Sequence, residues 1–118
     1  MKRMILFAAA LCLLTISCTT VETVETTVET VEIVDGNLTV QGACGMCKTR
    51  IEEAALGVNG VTMAEWDMDA KELTLQFDSG RTSLDDISKA LAAVGHDTDR
   101  DMADDEVYAA LNECCLYR

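Results

Sequence analysis

Between Leu38 and Met102 the spacing of apolar residues changes period four times, and the order of those changes leaves few folds open. Leu38 and Val40 in "NLTVQGA" alternate as one face of a short strand does, just after the turn signal Asp35-Gly36. From Gly45 to Leu56 the interval becomes helical, with Cys47, Ile51, Ala54, Ala55 and Val58 on one stripe, and "GVNG" at 57–60 stops it. "VTMAEWDM" (61–68) alternates again, Asp69-Ala70 makes a tight connection, and "ELTLQFD" (72–78) sets Leu73, Leu75 and Phe77 on one side. Ser83 with Asp86 three places later has the form of a capping box. Leu84, Ile87, Leu91 and Val94 then form a helical stripe that Gly95 ends. "HDTDRDM" (96–102) supplies a last short strand. "ADDEVYAALNECC" (103–115) supplies a further helix, with acids in its first turn where the macrodipole favours them. The sum is an α+β, ferredoxin-like βαββαβ sandwich, one antiparallel sheet covered by two helices, with an added C-terminal helix.

The first strand-to-helix junction carries "VQGACGMCKTR" (40–50), which places Cys44 in a glycine-flanked loop and Cys47 in the first helical turn. Two side chains three positions apart there converge on one point. The helix N-terminus, Lys48 and Arg50 favour thiolate over thiol. Soft thiolates with no preset third ligand and no adjacent carboxylate suit Cu(I), which accepts low coordination, whereas zinc usually takes four ligands. Three other uses compete. A redox couple also sits where a strand meets a helix. A structural bridge here closes a loop too short to constrain much chain entropy. A zinc ribbon needs a second pair at metal spacing, and the next cysteines, Cys114 and Cys115, are adjacent and 67 residues further on.

With that order laid out, residues 38 to about 100 resemble the heavy-metal-associated domain of copper metallochaperones, copper-ATPase N-terminal modules and periplasmic mercury-binding proteins. The resemblance is carried by "VQGACGMCKTRIEEAALGVNGV", "LTLQFDSGRTSLDDISKAL" and "AAVGHD", about half of the chain. The family pattern is Gly-Met-x-Cys-x-x-Cys. Here Gly42-Ala43 stand directly before Cys44, so the methionine two places ahead is missing, and Met46 is expected to fill that apolar space. The resemblance implies that Cys44 and Cys47 are the main metal ligands. It implies Cu(I) foremost, with Zn(II), Cd(II) and Hg(II) as rivals, held for capture, buffering or transfer to a metal-transport or metal-receiving protein. Nothing in the sequence looks like an acid–base pair or an activated serine, so no enzyme is expected. Thioredoxin-like proteins resemble one another in a proline facing the active site, and this chain has no proline. The alternative function is a redox-sensing or adaptor lipoprotein that cycles the same cysteines between dithiol and disulfide.

Other ligands are candidates at the same end. His96, the single histidine, lies in the connection from the second helix to the last strand, which in this topology returns to the metal loop. It is a candidate third ligand, or a hydrogen-bond donor to a thiolate. A helix over 103–113, climbing back about 16 Å at 1.5 Å per residue, brings Cys114 and Cys115 toward Cys44 and Cys47. Val107, Leu111 and Cys114 share its apolar face. Four thiolates shift the preference toward a closed site for zinc, cadmium or a small copper cluster. The acidic run from Asp97 to Glu106, six carboxylates opposed by Arg100, reads as a solvated face or a docking surface for a basic partner.

Ahead of this unit, "MKRMILFAAALCLLTISC" has a basic start and a short apolar run, the form of a secretory signal too short to span a bilayer. Cys18 at its end resembles a bacterial lipobox cysteine, which implies lipidation there. The expected division is residues 1–17 signal peptide, 18–33 lipid-anchor cysteine and spacer, 34–102 metal-binding domain, and 103–118 C-terminal helix and Cys-Cys tail packed on the domain. The spacer repeats TTVETVE at 19–25 and 26–32, with too few heptads and too little helix propensity for a coiled coil. Residues 1–17 hold two of the nine basic residues and none of the 21 acids, so a chain cut there has a net charge of −14. That charge argues against nucleic acid. The expected location is the cell envelope, lipid-anchored and facing the periplasm or exterior, where thiols readily oxidise.

Overall fold

The computed structural model describes residues 30–118. The signal peptide of residues 1–17, Cys18 and most of the 18–33 spacer lie outside the described residues, and among those described no helix is long and apolar enough to cross a membrane. Three strands form an antiparallel sheet: β1 (Ile33–Thr39), β2 (Val61–Asp67) and β3 (Glu72–Asp78), in the order β1-β3-β2. β3, the central strand, is the most deeply buried of the three, its inward side chains all lying in the core. Leu73, Leu75 and Phe77 are buried, and removing each large side chain from water stabilises the fold by about 1.5–3 kcal/mol. Leu38 and Trp66 face Leu73 from either side, one through each strand pairing.

Helices α1 (Gly45–Leu56) and α2 (Leu84–Ala93) cover one face of the sheet, burying Cys47, Ile51 and Ala55 from the first and Ile87, Ser88 and Leu91 from the second. Ser83 caps α2 as expected, its side chain accepting from the Asp86 N–H. The other end closes in a Schellman arrangement, with Gly95 N–H bonded to the Ala92 carbonyl and His96 N–H to the Leu91 carbonyl. Gly95 has φ +99°, which glycine alone adopts without strain. This is the open-sheet, ferredoxin-like architecture that the apolar spacing implies.

Two elements differ from expectation. The last strand over 96–102 is reduced to a single bridge between Val40 and Thr98, with Gln41 N–H donating to the Asp97 carbonyl and Asp99 N–H to the Thr39 carbonyl. Thr98 is the reason: its hydroxyl takes the N–H groups of Arg100 and Asp101, folding the chain into a turn where a ladder needs it extended. The added helix is also shorter. Capped by Asp104, α3 runs only over Asp105–Ala109, and a single 3-10 turn follows at Glu113–Cys115. Because the strand it was to retrace does not form, the chain stays beside residues 39–41 and needs no long climb to bring its cysteines to α1.

Candidate metal centre

The loop between β1 and α1 is shaped by what lies under it. Trp66, 1% exposed, donates from its indole N–H to the Val40 carbonyl at 3.1 Å, and Lys71 Nζ reaches the Gly42 carbonyl at 2.7 Å. A Cβ at position 42 would lie 2.9 Å from Trp66 Cη2 and 3.1 Å from Cys47 Cβ. The space expected for Met46 is therefore Trp66's, which explains why this chain has glycine where the family pattern has methionine. Met46 points outward instead and is 52% exposed.

Four sulfurs gather above this floor. Cys44 Sγ is 3.7 Å from Cys47 Sγ, 3.3 Å from Cys114 Sγ and 3.5 Å from Cys115 Sγ. The sulfurs of Cys44, Cys47 and Cys115 all lie within 4.8 Å of one another, and no carboxylate or imidazole joins that group. Cys114 is exposed, and its sulfur is also 3.6 Å from Met46 Sδ. The order of exposure reverses expectation. Helical spacing puts Cys114 on the buried face with Val107 and Leu111, but α3 stops at Ala109, and after the 3-10 turn it is Cys115 that is buried.

The Cys44 thiol is lowered to about 6. The Cys47 backbone N–H at the start of α1 contributes most and the Cys114 thiol next, against some desolvation, although the Cys44 side chain does not reach full capping geometry. Lys48, expected to favour the thiolate, has other work: it binds Glu52 at 2.6 Å and the Trp66 carbonyl at 2.7 Å. Cys47 Sγ accepts from the Ala43 backbone N–H at 3.4 Å. Cys114 and Cys115 are both pushed upward, Cys114 chiefly by facing Cys44 and Cys115 chiefly by burial.

His96 lies outside the sulfur group. It is fully buried, its Nδ1 is 2.8 Å from the Gln41 carbonyl, and its ring stacks on Tyr117 at 5.9 Å. Since a carbonyl only accepts, Nδ1 carries the proton; burial foremost, with the nearby Arg50 charge, keeps the ring neutral. Its place in the fold is under the metal loop, fixing residue 41.

Sequence reasoning did not find what holds the tail in place. Tyr117 donates to the Gly95 carbonyl at 2.7 Å and accepts from Asp97 N–H at 2.8 Å. Arg118 grips Asp97 with two nitrogens, at 3.0 and 2.7 Å, and lies over the Tyr108 ring. Asp101 binds Ser88, Asp104 caps α3 and Asp105 also pairs with Arg118, so with Asp97 four of the six carboxylates of the acidic run have partners within the fold. The available signal was Tyr117-Arg118 itself, an aromatic and a basic residue directly after the cysteine pair and beyond a strongly acidic segment.

A three-stranded sheet under two helices, with a C-x-x-C pair opening the first of them, defines a small soft-metal-binding α+β module. The chain belongs to the heavy-metal-associated domain family, whose sequence model matches residues 37–97. It is 33% identical over 61 residues to the copper chaperone CopZ of Staphylococcus haemolyticus, a match covering 51% of this chain and 90% of that protein. Among solved structures it is similar to a CopZ metallochaperone, with TM-score 0.53 and 27% identity over 55% of this chain and 98% of that one. Oxidised MerP from Ralstonia metallidurans CH34 is also similar, with TM-score 0.55 and 25% identity, covering 57% and 94% of the two chains.

Proposed function

We propose that this protein captures Cu(I) through Cys44 and Cys47 in the cell envelope and holds or passes it to a metal-transport protein. The observation that carries this is the pair of sulfurs 3.7 Å apart at the start of α1, in a group of donor atoms made of sulfur alone. Soft donors select soft ions, and the lack of an oxygen or nitrogen ligand disfavours hard ones. Relatives named as copper chaperones support the same ion; Zn(II), Cd(II) and Hg(II) compete for these donors. Each thiol that ligates loses its proton to solvent and the metal keeps its oxidation state. In transfer, a thiol of the partner joins the ion, a more highly coordinated intermediate forms, and a thiolate of this chain leaves. Export by residues 1–17 and a lipid on Cys18 place the domain on a membrane surface, tethered through the Thr/Val/Glu spacer.

Competition against chromophoric chelators, run anaerobically on reduced protein, tests the choice of ion. Cu(I) should be withdrawn from its chelator at one equivalent per chain, with Zn(II) left on its own. Tighter retention of Zn(II) than of Cu(I) would overturn the copper assignment. Failure to hold any soft ion while all thiols are reduced would favour the dithiol/disulfide switch.

A further inference from the structure

Resting on that reading of Cys44 and Cys47, we propose that Cys115 is the third sulfur ligand of the site, delivered by a latched C-terminal strap, with Cys114 and Met46 as its solvent-facing rim. The geometry of the pair itself asks for a third donor. With metal–sulfur bonds of about 2.3 Å, a linear two-coordinate ion separates its sulfurs by about 4.6 Å and a trigonal one by about 4.0 Å. Cys44 and Cys47 stand 3.7 Å apart and Cys44 and Cys115 3.5 Å apart, well short of the linear figure and close to the roughly 3.8–4.0 Å of a tetrahedral or trigonal ion, and Cys115 is the further sulfur that lies within 4.8 Å of both. Cys115 completes the group of three from the C-terminal segment and is fully buried.

The strap is fastened to the same piece of backbone that carries the cysteine loop. Tyr117 and Arg118 grip Gly95 and Asp97, and residues 96–99 are in turn bonded to residues 39–41, directly before Gly42. Leu111 packs on Gly95 so closely that a Cβ there would sit 2.9 Å from its Cδ2. Loop and strap thus share one anchor, and the position of Cys115 relative to Cys44 is fixed before any ion arrives. Ligation by Cys115 releases its thiol proton and forms one metal–sulfur bond, with no electron transfer. Outside the trio, Cys114 is 3.3 Å from Cys44 and 3.6 Å from Met46, a sulfur path from solvent to the buried donors. A site closed in this way retains its ion, and hand-off requires the strap to let go.

X-ray absorption at the copper edge of the Cu(I)-loaded chain, with stopped-flow release to a chelator, tests this. The wild type should show three sulfur neighbours, and Cys115→Ala two, with release faster by about tenfold or more. Cys114→Ser should keep three sulfurs and slow loading. The pair Tyr117→Phe and Arg118→Ala leaves every thiol in place and should also speed release, so the strap is tested even if Cys115→Ala fails to fold. Three sulfurs in Cys115→Ala, a loss of one sulfur in Cys114→Ser, or unchanged release from the latch variant would each overturn the proposal. Cys44→Ser separates the two levels: if it still binds a full equivalent, the assignment of Cys44 and Cys47 falls with it.

Discussion

Gly42→Ala is a small change with a computable cost. Gly42 is not among the glycines with positive φ, so the substitution meets no backbone strain. By restricting the unfolded chain alone it should stabilise by about 0.4–1 kcal/mol. Against that, the new methyl lies 2.9 and 3.1 Å from Trp66 Cη2 and Cζ2 and 3.1 Å from Cys47 Cβ, inside a packed region with nothing flexible to yield. Overpacking of this kind costs about 1–3 kcal/mol, so the net loss should be about 0.5–2 kcal/mol. In a Trp66→Phe background the two clashing ring carbons are gone, and Gly42→Ala should become neutral or stabilising. Urea denaturation of the four proteins, reduced and metal-free, gives the cycle. With slopes of about 1–2 kcal/mol per molar, Gly42→Ala alone should lower the midpoint by roughly 0.3–2 M. Equal losses in both backgrounds would refute the idea that Trp66 occupies the family methionine's space.

The Cys44 thiol, lowered to about 6, should alkylate with iodoacetamide half-maximally near that pH, and Cys114→Ala should move the inflection upward; an inflection near 9 in the wild type contradicts this. Because the fold depresses this thiol, the stability it contributes is present in full above its ordinary value near 9 and is lost as pH falls through about 6. Ser83→Ala should cost about 1 kcal/mol in urea unfolding by removing the cap on α2, with Ser83→Asn largely preserving it. Gly95→Ala combines φ +99° with a 2.9 Å approach to Leu111, so it should raise amide exchange in residues 111–118 more than in β3; protection of residues 111–118 equal to that in the wild type would argue against the anchor.

The two helices and three strands were legible because each side chain's spacing agrees with its neighbours: the 72–78 alternation, the Ser83 cap and the 45–56 stripe all point the same way. Cys44 and Cys47 were legible for the same reason, since a strand-to-helix junction fixes their convergence locally. What failed were segments decided by competition. Thr98 offers its hydroxyl to the backbone and ends the last strand after one bridge, which no apolar pattern signals. Cys114 and Cys115 are adjacent, so a shift of one residue exchanges the buried for the exposed thiol, and the end of α3 at Ala109 sets that shift. Trp66 lies 1% exposed in the core, but its hold on Gly42 depends on contacts across 24 positions, which no local pattern signals. His96, expected at the metal end, lies beside residue 41 with Nδ1 on the Gln41 carbonyl and stays outside the sulfur group.

Anaerobic native mass spectrometry of the reduced chain with one equivalent of Cu(I) bears most directly on the whole. A single copper adduct on the wild type, lost in both Cys44→Ser and Cys47→Ser, is the expected result. Copper retained at full stoichiometry when both residues are replaced, or never bound by the wild type, would contradict it.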